Sequence, residues 1–154
     1  MANENTNWGQ SVTGVVIKDH QVLLARHTYG GGKGMLIIPG GYVNTGETPQ
    51  DALVREYLEE TNVVVKPGNI IGIRFNMHDW YIAFRAEYVS GQPCSDNDEN
   101  SEVLWLDIDD ALAREDVPEL TKKLIQSAVS EEQGLQYKEY EGSTKHAPYS
   151  LYCL

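Results

Sequence analysis

The sequence predicts an α+β protein in which a mixed or antiparallel β-sheet packs between helices. Strand-like and helical segments follow one another without a regular βαβ alternation. Neighbouring strand-like segments are separated by short polar turns, which is typical of β-hairpins. The length of 154 residues and the 41% hydrophobic content suit one domain with a substantial core.

The first part of the chain predicts three strands and a glycine-rich loop. Residues 11–17 and 21–26 are rich in aliphatic and β-branched side chains, and the polar residues between them predict a turn. Residues 27–34 contain four glycines and read as a loop. Residues 35–41 then return as a short strand that ends in a proline and two glycines. These strands form the first part of the expected sheet.

The next segment carries the signals of a helix at both ends. Thr48 can cap the first turn, Pro49 suits its first position, and Asp51 stands three residues after the cap. We expect the helix to run to about Thr61, because Asn62 tolerates the left-handed conformation that ends many helices.

The second half of the chain predicts three more strands and a second long helix. Residues 63–76 and 80–90 read as longer strands joined by a tight connection, and residues 102–108 read as the final strand. Asp116 is then expected to cap a helix whose Leu120, Leu124 and Ala128 share one apolar face. The order of elements is therefore strands, helix, strands, helix.

The ends of the chain divide it into three predicted parts. Residues 1–9 are polar and read as a flexible N-terminal arm, residues 10–130 as the folded domain, and residues 131–154 as a C-terminal extension that docks or is partly ordered. The aromatic residues of this extension could serve a homodimer. The N-terminus lacks the pattern of a signal peptide and no run of 18 apolar residues occurs, so we expect a cytoplasmic protein without a membrane partner.

The charge balance limits the classes of partner. With 23 acidic and 12 basic residues the formal net charge is −11, which argues against a broad nucleic-acid surface, because such a surface needs positive charge to displace counterions. A phosphate-bearing substrate would have to be bound through a cation.

The predicted helix concentrates acidic side chains on one side. At 100° per residue Glu56, Glu59 and Glu60 fall within a sector of about 100°, where like charges repel one another. Arg55 is the one base in this helix and cannot neutralise all three carboxylates. A solvated acidic face is one interpretation. The other is a site for a hard divalent cation such as Mg²⁺ or Mn²⁺, which prefers oxygen ligands.

Residues 41–63 resemble the Nudix box, G-x5-E-x7-R-E-U-x-E-E-x-G-U, in which U is a bulky aliphatic residue. Seven fixed positions match at the correct spacing: Gly41, Glu47, Arg55, Glu56, Glu59, Glu60 and Val63. Two positions depart from the motif, since Tyr57 stands at an aliphatic position and Asn62 at a glycine. Neither departure removes a charged residue. The resemblance implies a Nudix-type α/β/α sandwich with a mixed sheet.

The resemblance also implies a metal site on this helix. Glu56, Glu59 and Glu60 would hold Mg²⁺ or Mn²⁺, and the backbone carbonyl of Gly41 would lie near the metal. The implied reaction is hydrolysis of a pyrophosphate bond in a nucleoside diphosphate linked to another moiety, which releases a nucleoside monophosphate or a similar product. A non-catalytic domain that senses nucleotides and an isomerase that uses the same metal site are the alternatives.

Further roles follow from the same resemblance. Glu47 and Arg55 would pair and brace the loop against the helix. The general base, or an additional metal ligand, would come from a loop that precedes a strand tryptophan. Glu99 and Glu102 stand six and three residues before Trp105, and we favour Glu99 because it lies in the more flexible part.

Substrate contacts are expected outside the motif. Arg26 or Lys33 could reach phosphate oxygens from the glycine-rich loop, and Tyr81 could stack on a base, although core packing is the ordinary role of such an aromatic residue. The sequence does not decide between oxidised nucleoside triphosphates, ADP-ribose and dinucleoside polyphosphates.

Overall fold

The computed structural model describes residues 9–142 and 144–154 of the chain. The flexible arm expected over residues 1–9 therefore falls largely outside the described residues. Gly9, its last residue, begins the first strand of the sheet.

One mixed sheet of seven strands forms the centre of the protein. The strands are β1 (Gly9–Lys18), β2 (Gln21–His27), β3 (Leu36–Ile37), β4 (Gly40–Tyr42), β5 (Val64–Phe75), β6 (Asp79–Ser90) and β7 (Asn100–Asp107). Their order is β3-β2-β1-β6-β5, with β4 paired to β1 and β7 paired to β2. Strands β1 and β6 run parallel, whereas the other pairs are antiparallel. The predicted mixed sheet is confirmed.

Helices cover both faces of this sheet. The helices are α1 (Pro49–Thr61), α2 (Ile108–Ala113) and α3 (Glu119–Val129). One buried cluster contains Leu53 and Tyr57 of α1, and a second contains Ile108 of α2 and Ile125 of α3. The chain is thus an α/β/α sandwich, as the sequence predicts. Within the described residues, none of the helices combines the length and apolarity that crossing a membrane requires.

Both predicted ends of α1 are confirmed. The side-chain oxygen of Thr48 accepts a hydrogen bond of 3.2 Å from the backbone N–H of Asp51, and Pro49 occupies the first turn. Asn62 ends the helix in the left-handed conformation with a φ of 63°. Asparagine therefore takes the place of the motif's glycine without losing the helix end.

Several details differ from the prediction around the second long helix. Helix α2 was not expected, and it follows directly on β7 because Asp107 caps it. Asp116 does not cap α3, whose N-cap is Pro118. The Asp116 carboxylate is instead bound by Arg26 and Arg114 at 3.1 and 2.7 Å. Of the three residues expected on the apolar face, Leu124 and Ala128 are buried, whereas Leu120 is exposed.

The predicted single strand over residues 35–41 is two strands, β3 and β4, which pair with different partners.

The strand predicted over residues 102–108 is not the last strand of the chain. Two short strands follow in the C-terminal extension, β8 (Gln136–Lys138) and β9 (Leu151–Cys153). This hairpin contacts the rest of the fold through backbone hydrogen bonds between Leu135 and Ile70 and through the ring of Tyr152, whose centroid lies 5.6 Å from that of Phe84.

Tyr57, the first departure from the motif, is accommodated in the core behind α1. Its side chain is fully buried, and its hydroxyl donates a hydrogen bond to the backbone carbonyl of Gly14. A Cβ atom at position 14 would lie 2.9 Å from a methyl carbon of Leu53, so the glycine lets α1 pack against β1 without displacing that side chain. The tyrosine thus ties the helix to the centre of the sheet.

The substitution Tyr57→Phe is expected to lower the free energy of unfolding by about 1–3 kcal/mol, because the Gly14 carbonyl loses a buried hydrogen-bond partner. Denaturant unfolding monitored by circular dichroism measures this loss. Tyr140→Phe provides the matched control, since Tyr140 is half exposed. Equal stability of the two variants would contradict the role assigned to the Tyr57 hydroxyl.

Candidate active site

A cleft of about 290 Å³ lies beside α1, between the β4 turn and the ends of β5 and β6. Glu56 and Glu60 reach it from the helix, and Gly41 lines it from β4. Glu99 enters from the loop before β7. The cleft therefore gathers residues from one helix, one turn and one distant loop.

Three carboxylates meet in this cleft. Oxygens of Glu56, Glu60 and Glu99 lie within 4.8 Å of one another. The Glu60 residue is only 4% exposed, and its Oε2 has no hydrogen-bond partner within the described structure. A buried carboxylate oxygen without a partner is costly, and a bound cation would supply the missing interaction.

The environment of Glu56 and Glu60 favours their protonated forms. Burial, with the neighbouring charges of Glu56 and Glu99, raises the pKa of Glu60 to about 9, although the Gly40 backbone N–H acts in the opposite direction. Burial also raises the pKa of Glu56, against the opposing effect of Arg55. Near neutral pH the cluster therefore retains a proton that a bound cation would displace.

Gly41 is held directly against the carboxylate of Glu56. A Cβ atom at position 41 would lie 2.4 Å from the Glu56 carboxyl carbon. This separation is too short for two carbon atoms that are not bonded to each other. The glycine therefore allows the β4 backbone to approach the acidic face of α1.

Arg55 links the loop before the helix to the acidic face of the helix. Its Nε and Nη2 donate to the two oxygens of Glu47 at 3.0 and 2.6 Å, and Nη2 also donates to the Tyr42 carbonyl. Its Nη1 donates to Glu56 at 2.9 Å and to Glu59 at 3.2 Å. The structure thus brings together Glu47 and Arg55, the pair expected to brace the loop.

Glu59 and Glu102 lie outside the group of three carboxylates. The Glu59 side chain is 59% exposed and contacts Arg55. The Glu102 carboxylate accepts a hydrogen bond of 3.0 Å from Nε of Arg26. Of the two loop candidates, Glu99 is therefore the one that the structure brings to Glu56 and Glu60.

Asn100 holds the loop that carries Glu99 against α1. Asn100 is 1% exposed, and its side-chain amide donates a hydrogen bond of 2.9 Å to the Glu60 backbone carbonyl. Its backbone N–H donates to Asp96, and the carbonyl of Glu99 accepts from the Thr28 backbone. Sequence reasoning missed Asn100, because an asparagine at the start of a strand gives no signal of burial.

Arg26 and Lys33, the expected phosphate contacts, do not line the cleft in the described structure. The Arg26 guanidinium binds Glu102, Asp116 and the Gly34 carbonyl. Lys33 is exposed on the glycine-rich loop. His27 and Tyr29, which lie between Arg26 and Lys33 in the sequence, line the cleft instead.

Tyr81 also lines the cleft. Burial raises the pKa of Tyr81 to about 12, so its hydroxyl is neutral. The guanidinium carbon of Arg74 lies 5.2 Å from its ring centroid, and Nη1 of Arg74 donates to Asp79 at 2.6 Å. Arg74 and Asp79 also line the cleft, and sequence reasoning missed both. The one available signal was that an acidic residue, Asp79, stands directly before two aromatic residues at the start of β6.

The donor set suits a hard divalent cation. All three clustered side chains offer oxygen, which Mg²⁺ and Mn²⁺ prefer, and the partnerless Glu60 oxygen supplies an unsatisfied ligand. The fold and the site together define an α/β/α sandwich whose acidic helix could hold a metal ion beneath a glycine turn.

The chain belongs to the Nudix family: the family model described as NUDIX domain matches residues 8–127. The resemblance expected from residues 41–63 is confirmed. Among curated relatives, a protein named ADP-ribose pyrophosphatase from Methanocaldococcus jannaschii is 38% identical over 63 residues, covering 41% of this chain and 37% of that protein. The NAD-capped RNA hydrolase NudC of Vibrio parahaemolyticus is 31% identical over 123 residues, covering 75% of this chain and 45% of that protein. The chain thus spans less than half the length of these relatives.

Solved structures share the fold. The MutT NUDIX hydrolase from Burkholderia pseudomallei matches with a TM-score of 0.71 at 19% identity, covering 79% of this chain and 98% of that chain. A NUDIX hydrolase from Nitrosomonas europaea matches with a TM-score of 0.70 at 24% identity, covering 78% and 87%. These likenesses confirm the predicted sandwich.

Proposed function

We propose that this protein is a pyrophosphohydrolase that depends on a divalent cation and cleaves a nucleoside diphosphate linked to another moiety. The observation that carries the proposal is the convergence of Glu56, Glu60 and Glu99, whose oxygens lie within 4.8 Å of one another in the cleft. Curated relatives named for ADP-ribose and for NAD-capped RNA support this class of substrate, in which a diphosphate joins a nucleoside to a second group.

Glu56, Glu60 and Glu99 would hold Mg²⁺ or Mn²⁺. The bound cation would neutralise charge on the phosphate oxygens and help to activate water. Glu59 borders the same site, because one nitrogen of Arg55 donates to both Glu56 and Glu59. We therefore retain Glu59 in the proposed ligand set that the family motif implies.

The surrounding residues of the chain would orient this group and move a proton. Arg55 and Glu47 fix the β4–α1 loop, and Gly41 leaves room for the Glu56 carboxylate. Glu99 lies on a loop and not on the helix, and we propose that the oxygen with which it does not hold the cation takes the proton from the attacking water. Tyr81, which is neutral and lines the same cleft, would contact the nucleoside or the second moiety.

Glu99→Gln is expected to lower kcat at least ~10²-fold, because glutamine keeps the size of the side chain but cannot accept the proton. Glu102→Gln is expected to retain activity within about threefold, since Glu102 contacts Arg26 outside the carboxylate group. Steady-state kinetics on the best substrate measures both variants. The reverse order of effects would transfer the role of base to Glu102.

The direct test of the function is release of a nucleoside monophosphate from a panel of compounds that includes ADP-ribose, NAD, dinucleoside polyphosphates and oxidised nucleoside triphosphates. Activity is expected with Mg²⁺, is expected to vanish with excess EDTA, and should return when Mg²⁺ is restored in excess over the chelator. Tight nucleotide binding without turnover of any compound would support a nucleotide sensor instead.

The expected cytoplasmic location, the homodimer and the division into domain and extension stay predictions.

A further inference from the structure

Arg74 is the one permanently charged base among the described residues that line the cleft. Its Nη1 lies 2.6 Å from Oδ1 of Asp79. Asp79 is only 7% exposed, whereas the Arg74 side chain is 29% exposed, so the carboxylate half of this ion pair is shielded from water. The positive charge that could have attracted an additional phosphate is therefore neutralised within the wall of the cleft.

Asp79 is fixed in place by other elements. Its Oδ2 accepts a hydrogen bond of 2.8 Å from the Ser11 hydroxyl of β1. Its backbone N–H donates to the side chain of Asn76 at 2.8 Å. The Asp79 carboxylate thus has defined partners on both oxygens and cannot move away from Arg74 without breaking them.

The ion pair and Tyr81 line the same cleft as the three glutamates of the proposed metal site. The charges of Arg74, Asp79 and Glu60 all act on the pKa of the Tyr81 hydroxyl. A group joined to a diphosphate bound at the three glutamates would therefore share the cleft with this ion pair. His27 also lines the cleft, but burial lowers its pKa, so it is neutral at neutral pH.

We propose that Asp79 is a specificity-determining residue, which selects nucleoside diphosphates joined to a neutral group over nucleoside triphosphates. By neutralising Arg74, it removes the attraction that a further phosphate would need beside this ion pair. A sugar offers hydroxyl groups, which the remaining N–H groups of Arg74 and the Asp79 carboxylate can bind without excess charge. This inference rests on the proposed function. It identifies Asp79 as the side chain that determines which class of substrate is preferred.

The test compares kcat/KM for ADP-ribose with kcat/KM for ATP. The wild type is expected to favour ADP-ribose at least ~10-fold. Asp79→Asn keeps the size of the side chain but leaves Arg74 unneutralised, and we expect it to shift the ratio toward ATP by ~10-fold or more. Arg74→Gln should shift the ratio in the opposite direction. The double variant Arg74→Gln/Asp79→Asn should return it to within about threefold of the wild type.

Glu87→Gln is the matched control, because it changes the net charge equally at an exposed position of β6. The proposal is overturned if Asp79→Asn shifts the ratio no more than Glu87→Gln does. It is also overturned if the wild type favours ATP. Should Asp79→Asn fail to fold, the shift in Arg74→Gln and its reversal in the double variant decide the question.

A binding measurement separates this proposal from the function itself. Calorimetry with Ca²⁺ in place of Mg²⁺ gives the ratio of dissociation constants for ATP and ADP-ribose. If the wild type hydrolyses no compound of the panel, the proposed function fails, and the same ~10-fold shift in binding ratio still tests the role of Asp79. If hydrolysis occurs and neither ratio moves, only the role of Asp79 fails.

Discussion

Glu56→Gln and Glu60→Gln are each expected to lower kcat/KM for the best substrate at least ~10²-fold. Both side chains contribute oxygens to the carboxylate group in the cleft, and glutamine replaces a charged ligand with a neutral one of the same size. The sequence motif leads us to expect a loss of at least ~10²-fold for Glu59→Gln as well. These are the largest effects on activity that the site predicts.

Glu119→Gln provides the control for these variants. Glu119 is also a helical glutamate, but it lies in the first turn of α3, with its side chain 85% exposed. It should retain the wild-type rate within about twofold, as surface substitutions usually do. Steady-state kinetics at saturating Mg²⁺ measures the four variants and the wild type. Unimpaired turnover by Glu56→Gln or Glu60→Gln would contradict the proposed site.

The metal-free protein is expected to lose stability as the pH rises, because of Glu60. Its pKa rises from an ordinary value of 4.5 to about 9 on folding, so between these pH values the folded state binds more protons than the unfolded state. The free energy of unfolding should therefore fall through this window, by at most about 1.4 kcal/mol per pH unit. Denaturant unfolding in EDTA at several pH values measures the slope.

Two comparisons isolate this effect. Glu60→Gln cannot ionise at this position, so its stability should fall less steeply with pH than that of the wild type. Saturating Mg²⁺ should stabilise the wild type increasingly as the pH rises, because the cation replaces the proton on the cluster. Identical slopes for the wild type and Glu60→Gln in EDTA would show that Glu60 is not the titrating group.

The parts of the fold that the sequence predicted best depend on local interactions. Thr48 and Asn62 define the ends of α1 through contacts within one helical turn of chain, so the sequence pattern was sufficient. Glu47 and Arg55 are eight residues apart, and their pairing follows once the loop and helix are recognised. The Nudix motif lies within this same continuous segment.

The parts that the sequence did not predict depend on residues distant along the chain. Ser11 and Asp79 are 68 residues apart, and Asn100 is 40 residues from the Glu60 carbonyl that it binds. Such contacts are defined by the order of strands in the sheet, which periodicity does not reveal. Asp116 shows the same limit, because its local position suggested a helix cap, whereas Arg26 from β2 and the nearby Arg114 bind it instead.

Binding of Mn²⁺, followed by electron paramagnetic resonance, tests the central claim most directly, since it reports the metal site without requiring a substrate. The wild type should bind Mn²⁺ with an affinity that rises as the pH increases toward 9, because the proton on Glu60 must leave. Glu60→Gln should weaken binding at least ~10-fold, whereas Glu119→Gln should match the wild type. Equal Mn²⁺ affinity in the wild type and Glu60→Gln would contradict a metal site formed by Glu56, Glu60 and Glu99.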